Sequence, residues 1–185
     1  MTSVISLRNL HSGPTAGFDE PFEMLAACHE RVERMLGLLA RLIEHVQAQP
    51  RDDSAVQAAR DVMRYFDLAA PHHHEDEERH VFPALLAHAD ARIVAGVRRL
   101  QEDHRQMSLD WREARASLLA LAEARIERFS AQDLERLARF SARYADHIRL
   151  EEEQIYPAAR AGLTPAELLA AGQEMAKRPL WALWA

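Results

Sequence analysis

The sequence predicts an all-α fold, an up-down-up-down four-helix bundle with an N-terminal loop and a short C-terminal fifth helix. Three features point there. Ala, Leu, Arg and Glu dominate while only 6 of 185 residues are Gly, a balance that favours helix over sheet. Apolar residues recur at alternating steps of three and four through long stretches. Short connections holding proline or capping residues separate those stretches, so consecutive helices can pack as antiparallel neighbours. A chain of 185 residues is long enough for one domain with its own core.

Residues 1–18 hold Gly13, Pro14 and Gly17 and little periodicity, and are expected to form an N-terminal arm. The bundle is expected over 19–160, and a short helix with an apolar tail over 161–185. The first helix starts near Asp19 or Glu20, with Pro21 in the opening turn, where its missing N–H costs nothing. Phe22, Leu25, Val32, Leu36, Leu39, Ile43 and Val46 form its seam, and His29 takes the seam position between Leu25 and Val32. Pro50 to Ser54 ends it, and Ser54 or Asp53 is expected to cap the next. The second helix runs to about His88 through Val56, Ala59, Met63, Phe66 and Ala70 to His73 and Glu77. Pro71 is expected to bend it or loosen a hydrogen bond.

The third helix, about Ala91 to Arg125, carries Ile93, Val97, Leu100, Met107, Trp111, Ala114, Leu118 and Leu121, with His104 between Leu100 and Met107. Ser130, with Asp133 three residues on, is a capping box opening the fourth. That helix carries Leu134, Leu137, Phe140 and Tyr144 to His147, Glu151 and Ile155, and ends between Pro157 and Gly162. Thr164, Pro165 and Glu167 start the fifth, which runs to about Lys177. The tail, Pro179 to Ala185, is apolar and expected to pack on the outside of the bundle.

One pattern occurs twice. His73 is followed by Glu77, Glu78, Phe82 and Pro83; 74 residues later His147 is followed by Glu151, Glu152, Tyr156 and Pro157. Side chains four apart share a helix face, so each copy can aim an imidazole and a carboxylate at one point. Of the three overlapping pairs in His72-His73-His74, the second copy selects His73, because His147 stands ten residues before its proline. His72, His74, His80 and His88 are then expected at the surface or in supporting roles, with His45 on a helix flank. Glu78 and Glu152 repeat together and are expected to support the ligands.

Counting residues from each turn places His29, His73, Glu77, His104, His147 and Glu151 within about a helical turn of one depth, at ~1.5 Å of rise per residue. Unsatisfied buried polar groups cost about 1–3 kcal/mol each, and unpaired charges cost more. A bound cation removes that cost, because imidazole lone pairs and carboxylate oxygens become ligands. Six donors exceed a four-ligand zinc site, and a calcium site would not rely on imidazoles. Two ions about 3.5–4 Å apart suit the set, each Glu bridging both. Pairing helices gives one ion His29 and His73 and the other His104 and His147. Iron fits these donors, and manganese or zinc can substitute.

The charge and the cysteine count narrow the partners. A net charge of -6, with acids and arginines mixed, argues against nucleic acid. The single cysteine, Cys28, rules out an internal disulfide and reads as a small buried apolar side chain. No cationic start with an apolar run appears in Met1 to Leu10, and no stretch nears ~20 uninterrupted apolar residues. The expectation is a cytoplasmic protein without a membrane partner, a monomer or weak homodimer.

Across residues 20–160 the lone His29, the His73/Glu77 and His147/Glu151 pairs with their following Phe-Pro and Tyr-Pro, and the lone His104 resemble the hemerythrin-like (HHE) cation-binding family. The resemblance implies a four-helix bundle holding a non-haem di-iron centre, bridged by glutamates and by oxo or hydroxo. It implies binding, sensing or reaction with a small gas or oxidant such as O₂, NO or peroxide. Oxygen-carrying members use a fifth His one turn from the third-helix His, where this chain has Leu100 and Ser108. Fewer protein ligands leave more positions open, which favours redox chemistry or sensing over reversible O₂ carriage. A non-catalytic iron-level sensor, store or delivery protein read by a partner is the alternative. A ferritin-like ferroxidase needs Glu-x-x-His on two helices; Glu77 and His80 supply one, but Tyr144 stands three residues before His147.

Overall fold

The computed structural model describes residues 20–177, the side chain of His88 excepted. The expected arm at 1–18 and the tail at 179–185 lie outside the described residues. Within them every regular element is helical: α1 (Pro21–Ala48), α2 (Asp53–Asp76), α3 (Phe82–His88), α4 (Ala91–Ala122), α5 (Ala131–Ala142), α6 (Tyr144–Leu150), α7 (Tyr156–Gly162) and α8 (Pro165–Ala176). Two π-helical turns, Glu77–Val81 and Glu151–Ile155, join α2 to α3 and α6 to α7. The result is five helical arms: α1, α2 with α3, α4, α5 through α7, and α8.

Local chemistry sets most of the ends. Pro21 sits in the first turn of α1. Asp52, rather than Asp53 or Ser54, caps α2: its carboxylate accepts from Ala55 N at 2.8 Å and from the Ser54 hydroxyl at 2.7 Å. The extended backbone at Asp52 aims its side chain at the N–H three residues on, as a cap requires. Two-way capping boxes open α5 at Ser130/Asp133 and α8 at Thr164/Glu167. Just past the end of α4, Ala124 turns the chain through a left-handed conformation (φ 57°).

Pro71 does not interrupt α2. The slip in hydrogen-bond register comes later, where Phe82 N donates to Glu77 O and Tyr156 N to Glu151 O, each five residues back. Pro83 and Pro157 follow directly. A proline ring crowds the carbonyl four residues back and offers no N–H, and an extra residue in the turn moves that carbonyl aside. Both π turns therefore begin at the glutamate of the repeated pair, a placement often seen at functional sites.

α1 packs on α2, α2 on α4 and α4 on α5, while α3 meets α7 and α8 meets α1. Two apolar clusters result. One holds Val32, Ala70, Met107 and Tyr144 and is centred on Phe66, whose ring meets Phe140 at 4.9 Å and Trp111 at 5.2 Å. The other holds Leu25, Val81, Leu100 and Ile155, with Phe22, Phe82 and Tyr156. Burying side chains of this size contributes about 1.5–3 kcal/mol each. On each arm the polar residues of interest stand between a member of one cluster and a member of the other: His29 between Leu25 and Val32, His104 between Leu100 and Met107. The fold thus seals a polar layer between two apolar ones.

Candidate metal centre

His29 is held by α1, His73 by α2 and His104 by α4, while His147 comes from α6. Glu77 and Glu151 are the first residues of the two π turns. All six are buried, and both glutamates are wholly inaccessible to solvent. Glu77 lies between two imidazoles, with Oε1 3.5 Å from His73 Nε2 and Oε2 3.4 Å from His104 Nε2. Glu151 does the same, with Oε1 3.0 Å from His147 Nε2 and Oε2 3.1 Å from His29 Nε2. His29 Nε2 and His73 Nε2 are 3.0 Å apart. The donors fall into two four-membered sets, His29/His73/Glu77/Glu151 and Glu77/His104/His147/Glu151, each with one ligand atom per residue within 4.8 Å of the others. Both glutamates belong to both sets.

Close approach is not matched by hydrogen bonding. Glu77 Oε2, both Glu151 oxygens, His104 Nε2 and His147 Nε2 are buried without a hydrogen-bond partner, although several lie within ion-pair distance of one another. Donors that face a common point, rather than each other, leave this pattern. Native proteins seldom bury polar atoms unsatisfied. Nitrogen and oxygen donors in these numbers suit a pair of hard or borderline divalent ions.

A supporting ring of acids holds the imidazoles from behind. Glu152 Oε1 is 2.9 Å from His29 Nδ1, and Glu78 Oε1 is 3.1 Å from His104 Nδ1. Each glutamate that follows a core glutamate thus orients the lone histidine of another arm. Gln101 in turn donates to Glu78 at 2.8 Å. Asp103 Oδ2 stands 3.6 Å from His147 Nδ1, an ion-pair rather than hydrogen-bond distance. His73 Nδ1 is buried without a partner. Carboxylates behind metal-binding imidazoles fix ring orientation and raise basicity.

In the metal-free chain, burial opposes charge on His29, but its contacts with Glu151 and Glu152 outweigh this and raise its pKa to about 10. For His104, burial again opposes charge, and Glu151 and Glu77 raise it to about 10. Burial drives His73 down to about 4. Burial works against the Glu151 carboxylate too, yet His147, His104 and His29 hold it well below the usual range.

The sequence matches the hemerythrin HHE cation-binding domain over residues 20–159. The chain belongs to this family. It is also 30% identical, over 163 residues, to an uncharacterized protein of Haemophilus influenzae, covering 88% of this chain and 92% of that one. Within this hemerythrin-family chain, the six residues singled out by the seam positions and the repeat stand together in one layer. His72 is half-buried with Glu75 3.6 Å away, and His80 is half-buried as well.

His74, expected at the surface or in a supporting role, borders the layer. It is half-buried, and its ring stacks on His104 with centroids 4.0 Å apart and planes within 14°. Register counting left surface and supporting places both open for it, because a residue only about 100° round from the inward face still borders a bundle's interior. Tyr156 was missed as a site residue. Its hydroxyl donates to Glu77 Oε1 and lies 3.3 Å from His29 Nε2. The available signal was its place in the repeat, where Tyr156 adds a hydroxyl to the position of Phe82. Burial, then Glu77 and Glu151, push the Tyr156 pKa well above its ordinary value.

A cavity of about 620 Å³ opens beside this tyrosine, with His29, Tyr156 and Glu152 along one part and Glu30, Glu33 and Arg160 among its other lining residues. Among the described residues no helix is long and apolar enough to cross a membrane.

Proposed function

We propose that this protein holds a non-haem di-iron centre with which it binds, senses or reacts with a small oxidant or gas such as O₂, NO or peroxide. The observation that carries the reading is the pair of overlapping donor sets that share Glu77 and Glu151. His29 and His73 would serve one ion, His104 and His147 the other, and the two glutamates both. Iron held there would supply one-electron chemistry; manganese or zinc could occupy the same donors in a preparation.

The chain's own groups prepare that chemistry. Tyr156 keeps a phenolic proton against Glu77 Oε1, next to His29. Glu152 and Glu78 orient His29 and His104. Val81, Phe82 and Ile155 cover the layer from one side and Phe66, Tyr144 and Met107 from the other, which keeps water out. The cavity beside Tyr156 gives a small molecule a path toward His29.

The same reading takes residues 19–160 as an up-down-up-down four-helix bundle, with α8 outside it. Support comes from cross-helix pairs whose members run in opposite directions. Cys28 pairs with Tyr65 and His45 with Asp52; Asp67 pairs with Trp111 and Glu78 with His104; Asp103 pairs with His147 and Ser117 with Asp133.

A second reading is a non-catalytic iron-level reporter or store, ordered by metal and read by a partner. The buried glutamate oxygens without hydrogen-bond partners favour it, because such groups couple folding to metal binding. Metal analysis with visible spectra of the anaerobically reduced and air-oxidised protein tests the primary reading. It expects about two irons per chain and charge-transfer bands that appear on oxidation. Fewer than two ions under saturating iron overturns it. Rapid ferrous-to-ferric turnover with peroxide favours the reactive role over the reporter.

A further inference from the structure

We infer that the cavity beside His29 is the route by which divalent cations reach the buried donors, drawn in by Glu30 and Glu33 and received at Glu152. This rests on the dinuclear reading above and adds a way in.

The donors are sealed, with His29 2% exposed and Glu77 and Glu151 0%, so a cation has to cross the wall of the bundle. The cavity of about 620 Å³ reaches that wall at His29. Behind His29 stands Glu151, whose Oε2 is 3.1 Å from His29 Nε2 and whose two oxygens are buried without a hydrogen-bond partner. In front stands Glu152, an exposed residue of the cavity lining with Oε1 2.9 Å from His29 Nδ1. A carboxylate, an imidazole and a second carboxylate thus follow one another from the cavity into the layer. On the other copy, Glu78 is tied to Gln101 at 2.8 Å and is not part of this lining.

The charge of the lining decides what is drawn in. Four glutamates, at 23, 30, 33 and 152, stand against Arg160 and His29. Arg160 is engaged already: its guanidinium donates to Glu23 at 2.7 Å and lies 5.6 Å from the centre of the Phe22 ring. Glu30 and Glu33 are exposed, and at three residues apart they share one face of α1. A cleft lined by one sign of charge between low-dielectric walls raises the local concentration and on-rate of counter-ions by ~10–10³-fold. Uncharged molecules gain nothing from it.

Stopped-flow uptake of Co²⁺ by the metal-free, full-length protein at low salt provides the test. Glu30→Gln/Glu33→Gln should slow uptake about 10-fold and still bind as many ions per chain as wild type. The gap should close in 1 M salt, where charges are screened beyond ~3 Å. Arg160→Gln removes the opposing charge and should speed uptake. Glu123→Gln/Glu135→Gln takes the same charge from exposed positions outside the cavity and should leave the rate unchanged. A wild-type rate in the Glu30/Glu33 variant overturns the inference, as does equal slowing in the Glu123/Glu135 variant or a deficit that persists in 1 M salt. These results leave the dinuclear reading standing. Fewer than two ions in wild type overturns that reading, while the uptake rates still decide the route; no uptake at all overturns both.

Discussion

The two halves of the buried His/Glu layer are near-copies, and their differences are more informative than their likeness. His29 and His73 face His104 and His147 across shared glutamates, and Glu152 and Glu78 support the lone histidines in the same way. At three matched positions the copies part. Cys28 precedes His29 where Asp103 precedes His104, so His147 has an acid within ion-pair distance at 3.6 Å, although neither His147 Nδ1 nor His73 Nδ1 has a hydrogen-bond partner. Tyr156 stands where Phe82 does, which adds a hydroxyl beside His29. His74 stands where Ile148 does. On the dinuclear reading proposed above, the repeated pattern would offer two like sets of donors, and single differences beside them would leave one set better supported than the other.

The largest expected effect comes from removing what both halves share. Glu151→Ala should bring metal content from about two ions per chain to below one and lower the melting temperature of the iron-loaded protein, read by elemental analysis and calorimetry. Two retained ions would mean that the halves bind independently, contrary to the shared-glutamate geometry. Next comes the acid found in one half only. Asp103→Asn should weaken one ion by about 10–100-fold, as loss of a carboxylate behind a ligand does. Cys28→Ser, the matched change in the other half, should leave both affinities in place. Burial already pushes the Cys28 thiol up to about 12, so it is neither an acid nor a nucleophile there. Smaller still, Tyr156→Phe makes the halves alike at that position. It should keep both ions and change azide affinity of the oxidised protein by about 10-fold, the low end for a hydrogen bond to a charged group, which contributes about 1.5–3 kcal/mol.

Much of this layer was legible in the chain because helices report their buried face through spacing. A histidine in a leucine position is visible against the steps of three and four around it, and the repeat picked out His73, which is buried, although His74 borders the same layer. Ser130/Asp133 and Thr164/Glu167 were legible for the same reason: a cap acts over three residues. What stayed hidden depends on contacts between arms. Asp103 acts on His147, 44 positions away, and Glu152 on His29 at a separation of 123. The π turns were hidden as well, although Pro83 and Pro157 marked them, because a slip from four to five residues leaves the apolar pattern almost unchanged. His74 stayed open because only the width of the interior, not helix phase, decides whether a residue beside the seam is covered.

The mildest prediction carries the comparison to the helix starts. The helix leading to His73 begins on one carboxylate, Asp52, taking Ala55 N–H and the Ser54 hydroxyl. The arm leading to His147 begins on a reciprocal box in which Asp133 accepts from Ser130 N–H, the Ser130 hydroxyl and the Ser117 hydroxyl on α4. Asp133→Ala should therefore cost more than Asp52→Ala, both within the ~0.5–2 kcal/mol known for caps. Burial raises the Asp133 pKa, but the Ser117 and Ser130 donors outweigh it and bring it below 3.8; Asp52 is lowered by Ala55 N–H and Ser54. A carboxyl lowered by folding contributes stability above its unfolded pKa and loses it as pH falls through the folded one. In urea denaturation of the metal-free protein, each variant should thus trail wild type at pH 7 and converge on it below about 3.8. A gap that persists in acid would assign the loss to packing of the side chain, and the two helix starts would then differ in shape rather than in charge.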